Sequence, residues 1–361
     1  MTTRFSGSYV PSDVTFLLKP VAMPATDVAA KEAAIQSGAR HYSEMIAPES
    51  VPGQAYLDLY DAALARNGAR LAADVAALAA HLRERAGGRE VVIASLARAG
   101  TPIGVLLHRT LQAQGARSAH YSISIIRDRG IDLQALAHIA EHHDPADVVF
   151  LDGWTGKGAI AGELRASLAD RPMGFSPTLA VIADPAGQAD IAATDDDYLI
   201  ASGLLNGIVS GLVSRSILSA ETVGPGDFHA CVTYPQHADA DRSRAFVDAL
   251  APMAAIAQPR RIDGHAANRP ALMAACETLV ADMLARAGTT DRNRIKPGIA
   301  EATRALLRRL PERLYVRDVE DPDVAHLLHL AREGAVPVEP LPATSRYRAV
   351  AIIASLGKDS A

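Results

Sequence analysis

Between residues 55 and 86 the apolar side chains Leu57, Tyr60, Leu64, Leu71, Val75, Leu78 and Leu82 recur near helical spacing, which predicts one long amphipathic helix. Gly87-Gly88 stops it. Downstream, short apolar runs alternate with helical periodicity. Val91-Val92-Ile93-Ala94 predicts a buried strand, and a helix opens at Gly100-Thr101-Pro102 and runs through Leu111. Residues 119–126 predict a second strand, with a helix over 133–141. Val148-Val149-Phe150-Leu151 is a third, followed by a helix over 159–168, and 178–183 is a fourth. Strands alternating with helices of this length predict an α/β fold with a largely parallel sheet flanked by helices. Ligands bind beyond the carboxyl ends of such strands.

The flanking regions read differently. Pro11, Pro20, Pro24, Pro48 and Pro52 interrupt the start of the chain, predicting an N-terminal arm with short helical pieces. The apolar stretch 204–219 predicts a buried helix and a candidate homodimer interface, whereas 224–268 reads as irregular. A helix over 270–286 precedes the linker Gly288-Thr289-Thr290-Asp291. The α/β pattern then restarts, with helices at 298–309 and 322–332 and strands at 314–316, 335–338 and 349–354. The expected division is therefore 1–288 and 289–361.

Composition narrows the function. The chain has 361 residues, 49% of them hydrophobic, enough for a substantial core. A net charge of −5 argues against a generally basic nucleic-acid binder, and 4% aromatic residues argue against extended base-stacking platforms. The first nine residues have no apolar signal core, and no run approaches a membrane span. With only Cys231 and Cys276, spaced as neither a CxxC pair nor a disulfide framework, a cytoplasmic location is expected.

The strongest chemical signal is Leu151-Asp152-Gly153-Trp154-Thr155-Gly156-Lys157-Gly158, where a strand meets a glycine-spaced turn and a helix. Glycines let N–H groups point inward, and a helix N-terminus favours an anion, so the turn can cradle a phosphate. Thr155 would add a hydroxyl, Lys157 a charge, and Asp152 a carboxylate for ribose hydroxyls or a magnesium shell. It is not a Walker A loop, and an ordinary strand–helix turn is the alternative. A second loop, Arg98-Ala99-Gly100-Thr101, offers a guanidinium beside backbone and hydroxyl donors, or is a plain helix start with Pro102 in its first turn. In a third, Arg127 and Arg129 flank Asp128, on a segment able to close over a ligand or simply solvated.

His229 and His237 lie near Cys231, and a nucleophilic cysteine needs a base within reach. Residues two apart face opposite ways on a strand, however, so His229 would pair with Cys231 only in a turn. A buried, structural Cys231 is the other reading. His138, His142 and His143 lack an HExxH pattern.

Several segments together resemble one bacterial family. They are Ser6-Gly7-Ser8-Tyr9, Asp13 to Pro20, His120 to Asp132, Asp152 to Gly158, Leu205 to Arg215, and Gly226-Asp227-Phe228-His229. The Asp152 loop resembles the ribose-phosphate loop of type I phosphoribosyltransferases, and the Arg98 loop their pyrophosphate loop. The segments are similar to the phosphoribosyltransferase-like family of tellurite-resistance and stress-response gene clusters, also catalogued as the cysteine protease StiP family. The tail from Ile295 resembles a Pelota-type RNA-binding domain. This resemblance implies a type I phosphoribosyltransferase-like fold with a small Pelota-like domain, and an enzyme that binds phosphoribosyl pyrophosphate (PRPP) with Mg2+. Thr155, Gly156, Lys157 and Gly158 would then hold the 5′-phosphate, Asp152 the ribose, and Arg98, Ala99, Gly100 and Thr101 the pyrophosphate, with Gly153 also among the PRPP-binding positions. Asp152, Arg98 and Arg127 would be the catalytic groups. Gly153 stands where the family's loop carries a second acid. The acceptor is open, RNA being a candidate partner for the tail. The competing expectations are a cysteine peptidase using Cys231 with His229 or His237, and a non-catalytic PRPP- or RNA-binding regulator. Arg304, Arg308, Arg309 and Arg313 form either a phosphate-contacting face or a solvated one.

Overall fold

The computed structural model describes residues 5–355. A six-stranded parallel sheet forms its centre, in the order Thr15–Leu17, Ser118–Ile123, Val91–Leu96, Val148–Trp154, Leu179–Ala183, Ile191–Thr194. Val91–Leu96 and Leu179–Ala183 are buried at every position, as strands covered on both faces must be. Val91, Ile93 and Leu151 pack into a core with the helices Gln54–Ala86, Gly100–Ala113 and Ser243–Ile256. Val92, Ala94 and Phe150 face the opposite side, against Leu133–Ala140 and Ala159–Ser167. The predicted long helix has 33 residues, about 50 Å at the usual rise, and ends on Gly87 at φ 58°.

A second sheet follows the order Ile295–Pro297, Ala349–Ile353, Pro311–Val316, Val338–Pro340, antiparallel except for its last pair. Its helices are Ile299–Arg308 and Ala325–Glu333. Ile299, Ala302, Leu314 and Leu327 belong to the same buried cluster as the long helix, so this unit is packed on the first rather than tethered to it. Asp197, at the end of the main sheet, accepts from the backbone N–H of Ile299 at 3.0 Å and of Arg348 at 2.8 Å.

Several expectations are corrected. Residues 204–219 form no helix: a 3-10 turn at Gly207–Val209 is followed by Gly211 at φ 79°, and Val213 and Ile217 then bridge to Thr233 and Ala230. Leu204, Leu205, Ile208 and Val209 are buried in the chain's own core. The proline-interrupted arm contributes Thr15–Leu17 to the main sheet, a strand of three residues and too short for periodicity to reveal. The region read as irregular contains the helix Ser243–Ile256, whose interior Pro252 masks its pattern. Among the described residues no helix is long and apolar enough to cross a membrane.

Candidate functional site

The Val148–Trp154 strand delivers the glycine-spaced turn to one wall of a cleft of about 890 Å³. Gly158, at φ 85°, turns the chain into the helix Ala159–Ser167. The opposite wall comes from the C-terminal unit, through Lys296, Glu301, Arg304, Arg308 and Arg309. Lys31, Arg127 and Arg215 complete it. Nine cationic side chains and three carboxylates line the cleft, in a chain whose acids otherwise outnumber its lysines and arginines. Such a surface attracts anions.

The turn is held from the far side. Tyr347 Oη donates to the carbonyl of Gly156 at 2.7 Å. Lys157 Nζ donates to the carbonyls of Arg292 and Ile295. A Cβ at Gly156 would lie 2.6 Å from Glu301 Cγ, so any side chain there has to displace Glu301. Arg304 pairs with Glu301 at 2.9 Å and lies over the Trp154 ring, 4.8 Å from its centroid.

The electrostatics follow from crowding cations in a partly dry cleft. Burial lowers Lys157 to about 7, with Lys296 adding to the effect. Lys296 and Lys31 are each lowered by burial to about 8. Burial pushes the Asp152 carboxyl up to about 6, opposed by Arg304. One Asp152 oxygen accepts from the Gly153 N–H at 2.8 Å, and no side-chain donor among the described residues binds it. Mg2+ is commonly held by one or two carboxylates plus ligand phosphates, so Asp152 fits such an ion on a phosphorylated ligand. A side chain at position 153 would meet Ala99 O and Ile103 rather than the cleft lysines.

Other predicted residues are placed differently. Arg98 is buried in a bidentate pair with Glu49, at 2.6 and 2.9 Å, and also donates to the Val213 carbonyl at 2.8 Å. Its fork is therefore committed within the protein, contrary to the expected free anion donor. Thr101 Oγ1 is buried against Ser122 Oγ at 2.8 Å, and Thr155 Oγ1 donates to Asp184, so neither hydroxyl is free for a ligand. Gly100 serves packing: a Cβ there would sit 2.3 Å from the Leu151 carbonyl oxygen. Ala99 and Arg98 line a side cavity of about 200 Å³ that shares Asp152, Trp154 and Arg304 with the cleft. Arg127 lines the cleft and donates to Asn293 at 3.1 Å, while Arg129 pairs with Glu44 at 3.1 Å. Arg309 pairs with Glu32 and Arg313 with Glu339, leaving Arg304 and Arg308 as the tail arginines at the cleft's centre.

Cys231 is fully buried in the main core, and burial drives its thiol up to about 12. Neither nearby histidine is bonded to it: His229 Nδ1 lies 2.8 Å from Ser124 Oγ, and His237 Nε2 lies 2.8 Å from the Glu49 carbonyl. Cys276 is buried as well. Among the described residues His138, Glu141 and His142 bring one ligand atom each within 4.8 Å of the others, away from the cleft. Periodicity missed Lys31, Arg215 and Lys296, isolated cations whose importance depends on elements far apart in sequence.

Fold and site define a parallel α/β protein with a cationic cleft completed by a C-terminal α/β unit. The chain belongs to the StiP family: the model described as tellurite-like stress resistance cysteine protease StiP matches residues 7–251. A model described as the PELOTA RNA binding domain matches residues 274–355. The chain is 41% identical over 366 residues to "Cysteine protease StiP" of Acinetobacter baylyi, covering 98% of this chain and 95% of that protein. Among solved structures, a mutant hypoxanthine phosphoribosyltransferase from Trypanosoma cruzi in complex with the product IMP is 13% identical, with a TM-score of 0.28 over 48% of this chain and 85% of that one. An alanine mutant from an analysis of an invariant aspartic acid in HPRTs is 12% identical, with a TM-score of 0.29 over 47% and 93%. At such scores the likeness decides nothing about this chain.

Proposed function

We propose that this StiP-family chain is an enzyme that binds PRPP, with Mg2+, in the cationic cleft and transfers its ribosyl-5-phosphate group to an acceptor. The observation that carries this reading is the meeting of a glycine-spaced turn, the Asp152 carboxylate and an excess of cations at the end of the Val148–Trp154 strand. In the transfer, the acceptor's lone pair forms a bond to the anomeric carbon as the carbon–oxygen bond to pyrophosphate breaks. The electron pair leaves with pyrophosphate, and the acceptor's proton passes to solvent. Cations fixed around the departing charge favour that step electrostatically. Asp152→Asn tests the reading: PRPP binding and pyrophosphate release are expected to fall with the fold intact. The Pelota match supports RNA as a partner of the tail.

A second reading, a cysteine peptidase, is favoured by the family's description and by the name of the 41% identical relative. The comparisons support it better than phosphoribosyl transfer, and the cleft geometry supports transfer better. A peptidase using Cys231 needs that thiol brought out of the core and beside a base. Iodoacetamide labelling at neutral pH tests this: a fast-reacting Cys231 supports the peptidase, and inertness until unfolding counts against it.

A further inference from the structure

The cleft and a neighbouring cavity of about 220 Å³ have three lining residues in common, Lys31, Arg215 and Arg308. They arrive from the helix Val28–Gln36, from the extended stretch after the turn Gly207–Val209, and from the end of the helix Ile299–Arg308. None has a carboxylate partner among the described residues. Lys31 is only 6% exposed. Arg308 Nε is buried without a partner. Arg215 donates to the carbonyls of Tyr42, Met45 and Ser216, which carry no formal charge.

The nearby acids are already committed, Glu49 to Arg98 at 2.6 Å and Glu32 to Arg309 at 2.5 Å. Burial lowers Lys31 to about 8 and Arg308 to about 9, and in each case neighbouring arginines add to it. Like charges crowded in a partly dry cleft destabilise a fold unless something neutralises them. The Asp152–Gly158 turn does not line the smaller cavity, so this is a second position for an anion. Besides the three cations, Glu49 and Glu333 line the cavity, Glu333 lying 3.3 Å from His329, and Tyr56, Tyr234 and Pro48 offer walls for an uncharged sugar or base.

We propose that Lys31, Arg215 and Arg308 form an anion subsite separate from the glycine-spaced turn, and that it holds the phosphate of a second small ligand, a phosphomonoester of the nucleoside monophosphate class. That this ligand is the acceptor rests on the phosphoribosyl-transfer reading above, whereas the subsite does not.

Calorimetric titration of AMP into the full chain tests it, using wild type, Lys31→Gln, Arg308→Gln and Asp152→Asn. AMP binding is expected in wild type and Asp152→Asn, and to weaken by about tenfold or more in either neutralised variant, as loss of a charged hydrogen-bond donor implies. Both neutralised variants are expected to unfold, without ligand, at or above the wild-type temperature, which separates lost binding from misfolding. AMP affinity unchanged by Lys31→Gln and Arg308→Gln would overturn the subsite. Binding abolished by Asp152→Asn and competitive with PRPP would also overturn it, by assigning AMP to the turn. Inorganic phosphate binding as tightly as AMP would overturn the nucleotide class. Arg308-dependent AMP binding in a protein that does not bind PRPP would uphold the subsite and remove the transfer reading.

Discussion

Tyr347 and Gly156, 191 positions apart, are joined by a 2.7 Å hydrogen bond from the phenol to the glycine carbonyl. With Lys157 donating to the carbonyls of Arg292 and Ile295, it makes the C-terminal unit a wall of the cleft. Neither unit builds the site alone.

Gly156→Ala tests that junction. The added methyl would lie 2.6 Å from Glu301 Cγ and 3.2 Å from the Pro297 carbonyl oxygen. Overpacking of this kind costs about 1–3 kcal/mol, read as a lowered denaturation midpoint. Tyr347→Phe removes the hydrogen bond to Gly156, together with the phenol's contact to the Cys276 thiol, and is expected to cost about 1 kcal/mol or more. Wild-type stability in both variants would mean that the two units are not joined here.

Gly100→Ala is expected to be worse. Its methyl would meet the Leu151 carbonyl oxygen at 2.3 Å, a backbone atom in a buried strand that cannot swing aside. A loss of about 3 kcal/mol or more is expected in urea unfolding, with reduced recovery of folded protein. Normal stability with lost PRPP binding would instead return Gly100 to a ligand-contacting role.

Anion affinity should depend on pH in a stated direction. Lys157 is lowered to about 7 and Lys31 and Lys296 to about 8, each chiefly by burial, so the cleft loses positive charge as pH rises from 7 to 9. Binding of PRPP should weaken across that range. Stability without ligand should move oppositely. Unfolded lysines keep their protons to about 10.4, so the unfolded chain binds more protons in this window and folding becomes more favourable with pH. Thermal melts and titrations at pH 7, 8 and 9 check both trends. Parallel trends would contradict the cleft's electrostatics.

Cys231 and Cys276 are both buried, and the Cys231 thiol is pushed up to about 12 by burial. The native chain should therefore leave both thiols unmodified by iodoacetamide at neutral pH, with labelling appearing on unfolding. Mass spectrometry of the alkylated peptides checks this. Rapid native labelling of Cys231 would point to a conformation suited to the peptidase reading.

Much of the central sheet was legible because 148–151 and Leu179–Ala183 are wholly apolar runs, and Val91–Leu96 is apolar but for Ser95, between glycine-bounded helices. Asp152 and the turn after it could be located because a strand, a turn and a helix are contiguous in sequence. The stretch 204–219 misled for a physical reason: burial makes an irregular segment as apolar as a helix, and Gly203, Gly207 and Gly211 marked the breaks. Arg98 misled because Glu49, which neutralises it, lies 49 positions away. The second wall could not be read locally either. Arg304 and Arg308 show their helical spacing in sequence, but whether that face meets solvent or Asp152 depends on how the two sheets pack.

The central claim is that the cleft binds PRPP through Asp152 and the glycine-spaced turn. Its most direct test is calorimetric titration of PRPP into the full chain, with and without Mg2+, repeated on Asp152→Asn. Loss of one charged contact predicts Mg2+-dependent binding in the wild type, weakened by about tenfold or more in the variant. Absence of PRPP binding in the wild type, or equal affinity in the variant, would contradict it.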